Sequence, residues 1–286
     1  MKNTLCRYFL LIVTILTCCS LAYSQVCQTS ATGGICGPYN YTEVTGNDAN
    51  NINVQNACWN TSGYCNGSDQ TLYATSPGNW YAVANFPSGN SSVQSYPNSD
   101  YYHVNTLVTS YSSMYSSFTE NMGTIPSGSS AEAGFDIINM TNTGTSWNEV
   151  MIWNDVNNRG FGGCDSWPPK AQVKFGGSYG VPVNTWDLWS CGTSELIWQL
   201  DAGSSPPTHY GFQSGSVDIY AMMMWLVNNG YLGRGTTFGQ IEYGFEICST
   251  GGVNQTFTVS DWTLTSGTGA PTSPGAPGAG RSEHKH

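Results

Sequence analysis

The sequence predicts an all-β protein, a sandwich of antiparallel sheets carrying one α-helix. Three observations lead there. Short alternating or apolar runs recur between clusters of Asn, Gly, Ser and Pro, the pattern of many short strands joined by tight turns. One segment only, "SVDIYAMMMWLVNNG", has the cap, length and stop of a helix. No internal repeat divides the chain, and the stretch from about Gln25 to Leu264 has the size of a single domain.

Taken in order, the strand runs begin with "INVQNACW", "NWYAVANF", "YYHVNTLVTSYSS" and "SAEAGFDIINM". They continue with "NEVMIW", "QVKFGG", "VNTWDLW" and "SELIWQL", and close with "GQIEYGFEI" and "QTFTVSDWTL". Each places apolar or aromatic residues at every second position or in a short unbroken run, as a half-buried or buried strand does. Ser216 is the expected helix N-cap, Asp218 suits the positive end of the helix dipole, and Gly230 is the expected stop. Met222, Met223, Met224 and Trp225 read as packing onto a sheet rather than as a cofactor site.

The ends stand apart from this pattern. Lys2 and Arg7 precede the apolar run "YFLLIVTILTCC", and "LAYSQ" offers Ala22 and Ser24 at the small positions before a cut. Residues 1–24 are therefore expected to be a signal peptide, and the protein to be secreted and extracellular, with no membrane association after cleavage. Lipidation at Cys18 is the alternative, but Thr17 is a poor residue before a lipidated cysteine. Residues 25–267 form the expected folded domain, and 268–286, rich in Gly, Pro, Ser, Thr and Ala, a flexible tail or the stub of a linker.

Composition narrows the function. Between Gln25 and Leu264 the basic residues are Arg159, Lys170, Lys174 and Arg234, in a chain of formal net charge −10, which excludes phosphate-backbone binding and hence nucleic acid as a partner. Asn, Ser, Thr, Gly, Trp and Tyr take the place of charge. Aromatic faces stack on sugar rings, and amides and hydroxyls bond sugar hydroxyls without the desolvation cost of ions. Seven cysteines follow residue 24, so export makes disulfides the default and leaves at least one thiol over. There is no CxxC pair, and His103 and His209 are the only histidines before the tail. No metal site, cofactor, Cys-His pair or serine triad is expected.

Two strands carry an oddity. In "SWNEVMIWND", alternation puts Glu149, Met151 and Trp153 on one face and Val150 and Ile152 on the other. In "GQIEYGFEICST", Glu242, Gly244, Glu246 and Cys248 share a face opposite Ile241, Tyr243, Phe245 and Ile247, and Gly244 leaves space beside Glu246. A solvent-facing Glu on an antiparallel strand is the plain explanation of either alone. Two such carboxyls on the open face of one sandwich match the requirement of glycosidic hydrolysis for one group that attacks and one that protonates the leaving oxygen.

At these residues the chain resembles glycoside hydrolase family 12. "NEVMIW" is similar to that family's ELMIW or EIMIW strand and "GFEI" to the strand with its acid/base glutamate. "VQNACWN" resembles VQNNxWG, "VQSYPN" resembles VKSYPN, and "GFDIINM" resembles the YDIW strand. "GSVDIYAMMMWLVNNGYL" occupies the place of the family's lone helix and "FTVSDWTL" that of its closing strand, so the likeness runs in order from about Cys36 to Leu264.

The resemblance implies a β-jelly roll of two curved antiparallel sheets, with substrate in the concave face and the helix packed on the convex face. It implies Glu149 as nucleophile, Glu246 as acid/base, and Asp136 as a carboxyl neighbour hydrogen-bonded to the nucleophile. Trp59 would stack on a sugar, Asn56 would bind substrate although Ala57 shares the face of Trp59, and Met151 and Trp153 would line the cleft floor. Cys36 with Cys65 resembles the family's N-terminal disulfide, and Cys164 with Cys191 reads as a second bridge across a loop. Cys58, Cys164, Cys191 and Cys248 depart from the family pattern.

The implied activity is retaining endo-hydrolysis of a β-1,4-glucan by a monomer without cofactor. A non-catalytic carbohydrate-binding jelly roll is the alternative, but it has no use for two facing carboxylates. A xylanase of the related jelly-roll family carries its glutamates in different strings. Cellulose, mixed-linkage glucan and xyloglucan are not distinguished, and "NDVNNRGFGGCDSWPPK" has no counterpart in the family pattern.

Overall fold

The structure, a computed structural model, describes residues 41–42, 52–58, 69–141, 143–159 and 167–268. In chain order its elements are β1 (Tyr41–Thr42), β2 (Ile52–Gln55), β3 (Gln70–Ser76), β4 (Asn79–Ala84), β5 (Asn98–Leu107), β6 (Tyr111–Asn121), β7 (Ser129–Ile138) and β8 (Glu149–Asn157). There follow β9 (Ala171–Phe175), β10 (Asn184–Cys191), β11 (Glu195–Leu200), β12 (His209–Gly211), β13 (Ser214–Val217), helix α1 (Ile219–Asn228), β14 (Thr237–Thr250) and β15 (Gln255–Thr268). They form a jelly roll of two sheets. The larger has the order β1-β2-β5-β14-β7-β8-β11-β10-β9, with β12 added against β8, and the smaller has the order β13-β6-β15-β4-β3.

Alternation decides what lies between the sheets. Ile241, Tyr243, Phe245 and Ile247 of β14, Phe135 and Ile137 of β7, and Val150 and Ile152 of β8 are fully buried in the core shared with Phe118 of β6 and Phe257 of β15. Phe118, Phe135 and Tyr243 meet with ring centres 4.6–6.0 Å apart. The helix closes the core on the side away from the Glu149 face: Met222, Met223 and Leu226 are buried, and Trp225 meets Trp198 of β11 edge-on at 5.3 Å. The methionine run is thus packing. No helix among the described residues is long and apolar enough to cross a membrane.

Several expectations change in detail. The run 101–113 is two strands, broken by the short 3-10 turn Val108–Ser110. Asp218, not Ser216, caps the helix by accepting from the Ala221 backbone N–H at 2.9 Å, because Ser216 is drawn into β13, which pairs with β6. β15 continues to Thr268, so Ser266 and Gly267, which compositionally resemble the tail, are ladder residues opposite Met114 and Ser113. The sheets are not wholly antiparallel. β11 runs parallel to β8, because the connection following β8 returns the chain to start β9 before the β9-β10-β11 meander.

β8 also runs four residues past Trp153, into the segment without a family counterpart. Gly134 pairs with Trp153 but Ala133 with Asp155, so Asn154 is an extra, bulged residue. The bulge exchanges the faces of the strand, and Asp155 turns into the sandwich. There it meets Glu120 of β6, and His209 Nε2 lies 2.9 Å from its Oδ1.

Candidate active site

The face opposite the core on β5, β14, β7, β8 and β11 carries the candidate residues. Glu242 lies opposite Asp136 and Glu246 opposite Glu132 across β14 and β7, Asp136 lies opposite Met151 across β7 and β8, and Glu149 opposite Glu195 across β8 and β11. Two glycines make the middle of this floor flat. Gly244 and Gly134 face each other in the ladder, and a Cβ on Gly244 would fall 2.0 Å from the Pro97 carbonyl oxygen, one on Gly134 2.5 Å from that of Ile152. The buried Tyr96 donates its hydroxyl to the Gly134 carbonyl at 3.2 Å. Glu149, Glu246, Asp136 and Glu242 open into one cleft of about 760 Å³, whose other walls include Gln55, Tyr96, Asn98, Asn139, Thr141 and Asn148.

Electrostatics in this cleft are dominated by crowded carboxyls. Burial, then the charges of Glu195 and Glu246, raise Glu149 to about 7. Asp136 is held well above the usual carboxylate range by burial first, then by Glu246, Glu149, Glu242 and Glu195. Glu242 rises to about 8 through burial, Asp100 and Glu149, and receives a hydrogen bond from Asn98 Nδ2 at 3.3 Å. Gln55 and Gln240 both donate to Asp100 Oδ2, at 2.6 and 2.9 Å. The cation at the cleft is Arg159, with Nη2 3.3 Å from Glu246 Oε2 and Nε 2.7 Å from Glu132 Oε2.

The three carboxyl residues expected from the sequence are therefore brought together, with Glu149 among the like charges that act on Asp136. Asn56 is not a cleft residue. Its side chain is fully buried and accepts from Gln70 Nε2 of β3, because Gln55 and Ala57 take the cleft side of that strand. Met151 and Trp153 lie on the expected face but are 5% and 1% exposed, packed into a second apolar cluster with Val156, Trp189 and Ile197. The Arg159 guanidinium lies 5.1 Å from the Trp153 ring centre. They support the floor from within a packed patch rather than lining an open groove.

Trp59, Cys36, Cys65 and Cys164 lie outside the described residues. Cys58 and Cys191 are disulfide-bonded, while Cys248 is a buried free thiol. Among the described residues no group of His, Cys, Asp and Glu is arranged to hold a metal. Tyr96, Asn98, Glu132, Glu195 and Arg159 were not anticipated. Glu132 and Glu195 stand at register positions that alternation could have flagged, whereas Arg159 comes from the loop after β8 and left no local signal.

No protein-family model and no curated protein matches the sequence. Solved structures do match, and what they share with this chain is the fold. More narrowly, the chain has the fold of glycoside hydrolase family 12 structures. The xyloglucanase domain of a type three effector from Sinorhizobium fredii, in complex with cellobiose, is 22% identical with a TM-score of 0.58, over 82% of this chain and 98% of that one. A family 12 xyloglucanase from Bacillus licheniformis is 17% identical with a TM-score of 0.59, over 82% and 99%. An endoglucanase from Rhodothermus marinus is 20% identical with a TM-score of 0.59, over 82% and 99%.

Proposed function

We propose that the protein is a secreted, monomeric endo-β-1,4-glucanase that hydrolyses β-glucan chains with retention of configuration and without a cofactor. The observation that carries this reading is that Glu149 and Glu246, on strands either side of β7, open into one cleft together with Asp136. The amide and hydroxyl side chains along that cleft suit an uncharged, hydroxyl-rich polymer. The apolar run before Gln25 supports export.

In the first step a Glu149 oxygen attacks the anomeric carbon as the bond to the leaving oxygen breaks and Glu246 delivers its proton to that oxygen. In the second, Glu246 takes a proton from water, whose oxygen attacks the same carbon and releases Glu149 as carboxylate. The attacking group must be ionised, and Glu149 is raised to about 7, so kcat/KM should climb with pH through a limb near neutrality.

Reducing-sugar release from cellulose, mixed-linkage glucan and xyloglucan tests the reading. Wild type should release sugar from at least one polymer, and Glu149→Gln and Glu246→Gln should each lose several orders of magnitude in rate while remaining folded. Retention of more than roughly a tenth of the activity by either variant would overturn the assignment.

A further inference from the structure

Glu246 does not stand alone in the cleft wall, and its surroundings bear on how it keeps the proton that the proposed reaction spends. Arg159 reaches three acidic groups at once. Its Nε and Nη2 bind Glu132 at 2.7 and 3.3 Å, Nη2 also reaches Glu246 at 3.3 Å, and Nη1 donates to the Cys248 sulfur at 2.7 Å. Glu132 is buried and sits directly across the ladder from Glu246, to which it is hydrogen-bonded. Cys248 reaches the same point because it is the extra residue of a bulge: Ile247 pairs with Ala131 and Ser249 with Ser130. Trp153 supports the guanidinium from below.

We infer that Arg159 and Glu132 are positioning residues for Glu246, forming a three-group clamp in which one guanidinium balances one negative charge and the two carboxyls retain a single proton between them. This inference rests on the proposed acid/base role of Glu246. Two carboxyls in hydrogen-bond contact cannot both ionise cheaply, and a fixed cation beside them makes one ionisation easy and leaves the second hard. Burial holds Glu132 well above the usual carboxylate range despite the charge of Arg159, so the pair keeps one proton, which the contact between the two carboxyls can pass to the leaving oxygen through Glu246. The thiol of Cys248 is raised to about 11 by burial despite Arg159, so it adds a hydrogen-bond acceptor and no charge near neutrality.

Two substitutions should move Glu246 in opposite directions. In Glu132→Gln the cation acts on Glu246 alone, so Glu246 should lose its proton at lower pH. In Arg159→Gln the carboxyl pair has no cation, so the last proton should be held to higher pH. Each shift should be about one pH unit or more. The other ionisable groups acting on Glu246 are Asp136 of β7, Glu149 of β8, Glu195 of β11 and Tyr96, and Glu242 shares its strand. All are unchanged in both variants.

The experiment is a titration of the Glu246 side-chain carboxyl by carbon-13 NMR, assigned by its loss in Glu246→Gln, alongside the alkaline limb of kcat/KM on a soluble β-glucan. Opposite displacement of the Glu246 titration by the two variants supports the clamp. Superimposable titrations, or displacement in the same direction, would overturn it. Glu132→Gln is isosteric and carries the test if Arg159→Gln does not fold, since a clamp requires a downward shift there and a purely structural Glu132 requires none. The titration needs no turnover. An inactive wild type would therefore count against the glucanase reading, and unmoved titrations in an active enzyme against the clamp alone.

Discussion

Glu120 and Asp155 meet inside the sandwich, and their ionisation is the residue-scale feature with the plainest thermodynamic consequence. Burial first, then the charge of Asp155 and a hydrogen bond to it, raise Glu120 from its ordinary value to about 10. A carboxyl raised on folding contributes stability that is complete below the unfolded value, near 4.5, and is lost as pH rises through the folded one. The protein should lose stability from pH 5 towards 9, at up to about 1.4 kcal/mol per pH unit for this proton. Glu120→Gln keeps a neutral donor to Asp155 and should flatten that decline, although Asp136 and Glu242 leave some slope. Urea midpoints at pH 5 and 8.5 measure the effect, and equal declines in wild type and variant would show that Glu120 is not the titrating group. None of this is legible in the sequence. Glu120 looks like one more polar strand residue, and its acidic partner Asp155, 35 residues on, is turned inward by a bulge.

At the scale of elements, backbone approach shapes the cleft as much as side chains do. Gly244 reads from the sequence as space beside Glu246, but the structure gives it a different reason: the chain entering β5 runs so close that a Cβ would sit 2.0 Å from the Pro97 oxygen. Gly244→Ala should therefore force β5 and β14 apart and cost about 1–3 kcal/mol, read as a lowered thermal midpoint. An unchanged midpoint would mean that the two strands yield freely there. Strand existence was legible wherever alternation was clean, as over Glu149–Trp153 and Ile241–Ile247. It failed at Asn154, where the bulge ends the alternation within a strand that continues, and at Ser216, whose capping chemistry is outweighed by pairing with β6. β12 and β13 went unread because each depends on a partner strand distant in sequence.

On the scale of the whole molecule, the topology creates the site. Alternation assigns Glu149 and Glu246 to open faces, but only the sheet order, with β14 inserted between β5 and β7, brings a residue near the C-terminal end of the chain beside one from its middle. That juxtaposition was legible through family resemblance and not through periodicity. Arg159 was legible through neither, because it enters from a loop in which this sequence departs from the family pattern. The central claim is that Glu149 and then water activated by Glu246 attack one anomeric carbon, inverting it twice. Proton NMR of a soluble β-glucan digest in its first minutes tests this most directly. The β-anomer should form first and decay to the equilibrium mixture by mutarotation, whereas initial release of the α-anomer would contradict the double displacement and the role given to Glu149.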